Sequence, residues 1–108
     1  MIEAVIYQKD GIYQGYEISG HADFAPYGKD IVCAAVSFLA IATENSLDSQ
    51  SVIESGLLNG KLYCYLDKRT QGESLIRAQA VLKTLDLGLQ QISKTYPEHI
   101  RLRTIQKH

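Results

Sequence analysis

The sequence has no tryptophan, a single methionine, two prolines and only two cysteines, Cys33 and Cys64. Two cysteines are too few for a disulfide-built scaffold, and no basic-then-apolar leader with a small-residue cleavage site opens the chain. A reducing cytoplasm is therefore the expected compartment, with both thiols free. No apolar run reaches the ~20 residues needed to cross a bilayer; the longest, Ile31 to Ala42, falls well short, so no membrane partner is expected. Charge of either sign is also lacking in excess, with 11 Lys and Arg against 12 Asp and Glu and a net charge of -1. Phosphate binding usually shows as a basic patch, and the one local cluster here, Arg101, Arg103, Lys107 and His108, reads better as the solubilising edge of a last strand. Direct contact with nucleic acid is not expected. A glycine-rich phosphate loop and internal repeats are absent too, which removes most nucleotide-binding readings. Structural zinc prefers several cysteines at paired spacings, and His21, Asp23, Asp30 and Cys33 offer one thiol among them. Neither a metal nor a cofactor is expected.

What remains is a chain of 108 residues, read as a single domain over residues 1–108. A chain of this size buries roughly 60 to 70% of its unfolded surface, enough for a core without staples. Ile2 to Tyr7 and Ile12 to Ser19 are rich in β-branched and aromatic residues and flank Asp10-Gly11, a hairpin signal. Ser51 to Leu58 and Lys61 to Leu66 repeat the pattern around Asn59-Gly60. Asp30 to Leu47 contains neither Gly nor Pro, and its first three turns are almost wholly apolar, predicting a buried helix that is apolar on most sides. Leu75, Ala78, Leu82, Leu85, Leu89, Ile92 and Tyr96 recur at spacings of three and four, one face of an amphipathic helix that Pro97 ends. Ile100, Leu102 and Thr104 alternate with polar residues in a last strand. The order ββαββαβ predicts an α+β fold, a mixed sheet with two helices packed against it.

Chemistry concentrates between the second strand and the first helix, where Gly20 to Cys33 holds a histidine, two aspartates and a cysteine flanked by glycines. With Asp30 as N-cap, its carboxylate would accept from the N–H groups of Val32 and Cys33 and set Cys33 in the first turn. Thiols at helix N-termini, above all beside an imidazolium, have their pKa lowered from ~8.5 to roughly 3.5 to 7.5, so a thiolate nucleophile exists at neutral pH. The charge of Asp30 opposes that shift, and His21 is the cation that would offset it. His21 and Cys33 stand twelve residues apart, so the loop must double back through Gly20, Pro26 and Gly28. The bland alternatives are an inert core cysteine and a hydrogen-bonded loop histidine. Cys64, within Tyr63-Cys64-Tyr65, reads as a packing residue.

The stretch Gly20-His21-Ala22, followed by Gly28-Lys29-Asp30-Ile31-Val32-Cys33-Ala34-Ala35-Val36-Ser37, closely resembles the signature of the bacterial ribosomal-processing cysteine proteases (Prp). Chain length, element order and the Tyr96-Pro97 ending of the second helix are similar to that family as well. The resemblance implies a catalytic dyad of His21 and Cys33, with Gly20, Asp30 and Ser37 as supporting residues of the motif. It also implies removal of the N-terminal extension of a large-subunit ribosomal protein, the twenty-seventh, in support of ribosome assembly, by a homodimeric enzyme. General chemistry then makes Cys33 the nucleophile and His21 the acid and base, with the Cys33 N–H a candidate oxyanion donor. Asp30 and Asp23 both stand as candidates to orient His21. The alternative function is a non-catalytic ribosome-associated protein-binding domain in which Cys33 is structural. A redox role is disfavoured because no resolving cysteine lies at Cys-x-x-Cys spacing.

Overall fold

In the computed structural model, which describes residues 1–26 and 28–107, the chain runs β1 (Ile2–Lys9), β2 (Ile12–Ser19), α1 (Ile31–Ser46), a 3-10 turn (Ser49–Ser51), β3 (Val52–Leu58), β4 (Lys61–Leu66), α2 (Gly72–Thr95) and β5 (Ile100–Gln106). The five strands form one sheet in the order β3-β4-β2-β1-β5. All neighbours are antiparallel except β1 and β5, which run parallel in a register that sets Ile2 against Ile100. The sheet is mixed and carries two helices, as the sequence predicts.

Both hairpins turn where the sequence asks. Asp10 and Asn59 take left-handed φ values of 52° and 53°, followed by Gly11 and Gly60 at 79° and 76°, the positive pairs that a type I′ turn requires. Alternation then divides each strand. Ile2, Ala4, Ile6, Tyr16, Ile18, Cys64, Leu66 and Ile100 join Val32, Val36 and Ala40 of α1 and Ala78, Leu82, Leu85 and Leu89 of α2 in one buried cluster. Each fully buried Leu or Ile of this set contributes roughly 1.5–3 kcal/mol relative to exposure. The other face of the sheet is a tyrosine surface, with Tyr63 stacked on Tyr65 and the Lys107 ammonium 4.6 Å from the Tyr7 ring centre.

Three expectations change. The first helix is not buried on most sides: Val32, Val36, Ala40 and Thr43 are buried, whereas Ile31, Phe38 and Ile41 face outward, Phe38 at 77% exposure. A helix lying on a sheet has one face to bury, and its apolar content exceeds what that face can hold. The second helix starts a turn before Leu75, at Gly72, because Glu73 and Ser74 sustain a helix although they add nothing to the apolar period. Ser51, read as the start of the third strand, instead closes a 3-10 turn over Ser49–Ser51. Tyr27, in the loop before α1, and His108, in the basic C-terminal cluster, lie outside the described residues.

Candidate active site

The site forms where the loop after β2 folds back onto the start of α1. Gly20 sits at φ +86°, and a Cβ there would collide with the backbone carbonyl oxygen of Met1, so only glycine lets the chain leaving β2 pass so close to the residue just before β1. Asp30 then clamps the loop to the helix. Its Oδ1 accepts from Val32 N and Cys33 N, both at 3.0 Å, while Oδ2 accepts from Phe24 N at 3.0 Å and Ala25 N at 3.4 Å. These backbone donors, Cys33 first, hold the Asp30 carboxyl below its ordinary value. Within the clamped loop Asp23 takes φ +55°, a left-handed conformation that Asp tolerates better than most residues.

Cys33 stands in the first turn of α1, half-buried and free. The backbone N–H of Ala22 donates to its Sγ at 3.2 Å, so the loop does double back and touches the sulfur. His21, the neighbour of Ala22, is exposed. It lines the same open cleft of about 700 Å³ as Gly20, Asp23, Asp30, Cys33 and Ser37, over an apolar floor that includes Ile2, Ile18 and Val36. Among the described residues no hydrogen bond joins His21 to Cys33, Asp23 or Asp30. Asp23 instead lies 3.5 Å from the Met1 ammonium, and Asp30 is spent on backbone donors. Ser37 is exposed one turn beyond Cys33.

One mechanistic expectation falls. The Cys33 N–H is not free to serve an oxyanion, because it is committed to Asp30 as part of the helix cap. The donor aimed at the sulfur is the Ala22 N–H, which no motif of side chains could reveal. A second histidine also reaches the site. His99 Nδ1 lies 2.8 Å from the Ala22 carbonyl oxygen, and the Phe24 ring packs edge-on against His99 and Tyr96 at centroid distances of 5.2 and 5.4 Å. The other thiol, Cys64, is 1% exposed, and burial, aided by Glu44, pushes it up to about 11. It packs in the buried cluster between sheet and helices.

A half-exposed thiol at a helix start, an N–H pointing at its sulfur and an imidazole on the same cleft wall can perform nucleophilic acyl transfer. A family model described as cysteine protease Prp matches residues 1–101. The ribosomal processing cysteine protease Prp of Bacillus subtilis is 27% identical over 109 residues, covering 96% of this chain and 97% of the relative. The crystal structure of an essential ribosomal processing protease Prp from Staphylococcus aureus, with a covalently linked product peptide, matches with a TM-score of 0.83 at 31% identity, over 97% of this chain and 100% of the other. A second structure of the Staphylococcus aureus protease, with a substrate peptide, matches at a TM-score of 0.79 and 28% identity, with the same coverage.

Proposed function

Because the chain belongs to the Prp family of cysteine proteases, we propose that Cys33 is its nucleophile and His21 its general acid and base, and that its substrate is the N-terminal extension of a large-subunit ribosomal protein, the twenty-seventh. The observation that carries this reading is the Ala22 N–H on the Cys33 sulfur, which brings the loop bearing His21 against the first turn of α1. The relatives, ribosomal processing proteases bound to a substrate peptide or a covalently linked product peptide, support the substrate class and a covalent intermediate.

The Cys33 thiolate attacks the scissile carbonyl carbon, forming the Sγ–C bond. As the tetrahedral intermediate collapses, the C–N bond breaks and the leaving amine takes a proton from His21. Water then adds to the thioester while His21 takes its proton, and the Sγ–C bond breaks to free the acid and the thiolate. The Ala22 N–H, already beside the sulfur, is the donor best placed for the oxyanion that develops next to it. His21 swings to Cys33 when substrate fills the cleft; catalytic contacts commonly tighten only in the substrate complex. The apolar floor of Ile2, Ile18 and Val36 suits an extension that is hydrophobic at the cleavage point.

The proposed enzyme is a cytoplasmic homodimer. Support for self-association comes from an exposed apolar strip in which Ile41 of α1 and Leu57 of β3 line one groove, with Phe38 one turn before Ile41. The test is cleavage of a synthetic peptide carrying the sequence of the extension, followed by mass spectrometry, with Cys33→Ala and His21→Ala beside the unchanged chain. Loss of cleavage in both variants is the expected result. No cleavage by folded, reduced protein would favour the protein-binding alternative.

A further inference from the structure

His99 lies 77 positions from Ala22 in sequence and outside the motif, yet it closes the chain of contacts that ends on the Cys33 sulfur. We propose that His99 is a positioning residue for the protease reaction: by holding the Ala22 carbonyl it keeps the Ala22 N–H on Cys33 Sγ and fixes the backbone from which His21 projects. The inference rests on the reading of Cys33 as nucleophile and adds a residue to it.

A carbonyl oxygen only accepts, so at 2.8 Å the His99 Nδ1 carries the proton and donates to Ala22. Ala22 is 1% exposed and is held from both sides, its carbonyl by His99 and its N–H against Cys33 at 3.2 Å. The two bonds flank one Cα, so together they fix both backbone dihedrals of Ala22. Asp30 cannot do this work, because its four contacts begin at Phe24 and leave Ala22 alone. His99 itself is anchored by the fold. Its N–H donates to the Tyr96 carbonyl at 3.0 Å and its carbonyl accepts from Ile2 N at 2.9 Å, at the point where β5 begins its parallel run along β1. Phe24 packs edge-on against its ring at 5.2 Å, which limits the imidazole to the orientation that faces Ala22. Neutral imidazole with the Nδ1 proton and imidazolium both donate here, so the contact survives protonation of the other ring nitrogen.

Three variants separate this role from simple packing. His99→Phe keeps a ring against Phe24 and removes the donor. His99→Asn places an amide nitrogen near the Nδ1 position and restores it. His99→Gln carries its amide one carbon further out, where it reaches past the Ala22 carbonyl. The measurements are kcat and KM for the peptide and the rate of Cys33 alkylation by iodoacetamide as a function of pH, on proteins whose folding is checked by circular dichroism. For His99→Phe and His99→Gln we expect alkylation at neutral pH and kcat to fall about tenfold, the weight of one hydrogen bond, with KM little changed. The alkylation deficit should shrink towards about pH 9, where thiols ionise without help. His99→Asn should recover most of the loss. Folded His99→Phe with unchanged kcat and an unchanged alkylation profile overturns the inference, as does a loss that His99→Asn fails to restore. Should the unchanged protein fail to cleave the peptide, the proposed function falls, while the alkylation profile still decides for or against His99.

Discussion

Replacing Asp30 by asparagine separates the two duties of one side chain. The carboxylate presents Oδ1 to Val32 and Cys33 and Oδ2 to Phe24 and Ala25. An amide keeps one acceptor oxygen and turns an NH₂ donor towards whichever pair it abandons. Asparagine is among the best N-cap residues, so the oxygen should stay on Val32 and Cys33 and the loop pair should be released. The helix then survives and the loop loses two bonds to a charged acceptor, one of them long at 3.4 Å. Counting the loss as one full bond to a charged group, kcat/KM should fall about tenfold to a hundredfold, with the urea midpoint close to that of the unchanged chain. Acid adds a second check. The Asp30 carboxyl is held below its ordinary 3.8, so its stabilisation of the fold is complete above that value and is lost as pH falls through the lower folded one. Asp30→Asn should lack this component of the acid-unfolding curve. Peptide cleavage, urea titration and an acid titration followed by circular dichroism read all three. An Asp30→Asn protein that cleaves at the full rate, or that loses its helix as completely as Asp30→Ala, would refute the division of labour.

Gly20→Ala should lower both stability and cleavage. The left-handed φ alone costs an L-residue roughly 1–2 kcal/mol, and the new Cβ meets the Met1 carbonyl, a backbone atom that cannot step aside without disturbing the start of β1. An unchanged urea midpoint would contradict this. Tyr13→Phe probes the other end of the molecule, where the Tyr13 hydroxyl donates to Asp86 at 2.7 Å and burial, with Asp86, pushes the phenol up to about 12. Asp86 is 6% exposed and, among the described residues, would keep only Gln90 at 3.2 Å as a side-chain donor. A loss of about 1–3 kcal/mol in urea unfolding is expected for a buried acceptor stripped of a partner, with peptide cleavage unaffected at permissive temperature. A change within experimental error would show that water already serves Asp86.

Local interactions made most of the fold legible. Asp10-Gly11 and Asn59-Gly60 fix their turns through left-handed backbone that few other pairs adopt, so both hairpins could be read directly. The Asp30 cap was legible for the same reason: donor and acceptor lie two and three residues apart. The first helix misled because composition reports how apolar a segment is and not how much of it a neighbour covers. Phe38 and Ile41 are as apolar as Val36 and Ala40, and only the tertiary arrangement divides exposed from buried.

The same distinction separates the parts of the site. His21, Asp30 and Cys33 stand within one short segment, so residue type and spacing were enough to nominate them. His99 was out of reach because its place depends on β5 lying parallel to β1, a pairing between the two ends of the chain that no local pattern encodes. With Ile2 set against Ile100, the residue just before β5 must fall near the residues that follow β2, since β2 runs antiparallel to β1 and stops at the end of the sheet where β1 and β5 begin. The imidazole of His99 and the carbonyl of Ala22 therefore meet as a consequence of topology. Any change that shifts the register of β5 by one residue should cost the cleft its order before it costs the chain its fold, because β5 is an edge strand and the Ala22 contact is held by His99, the residue just before it.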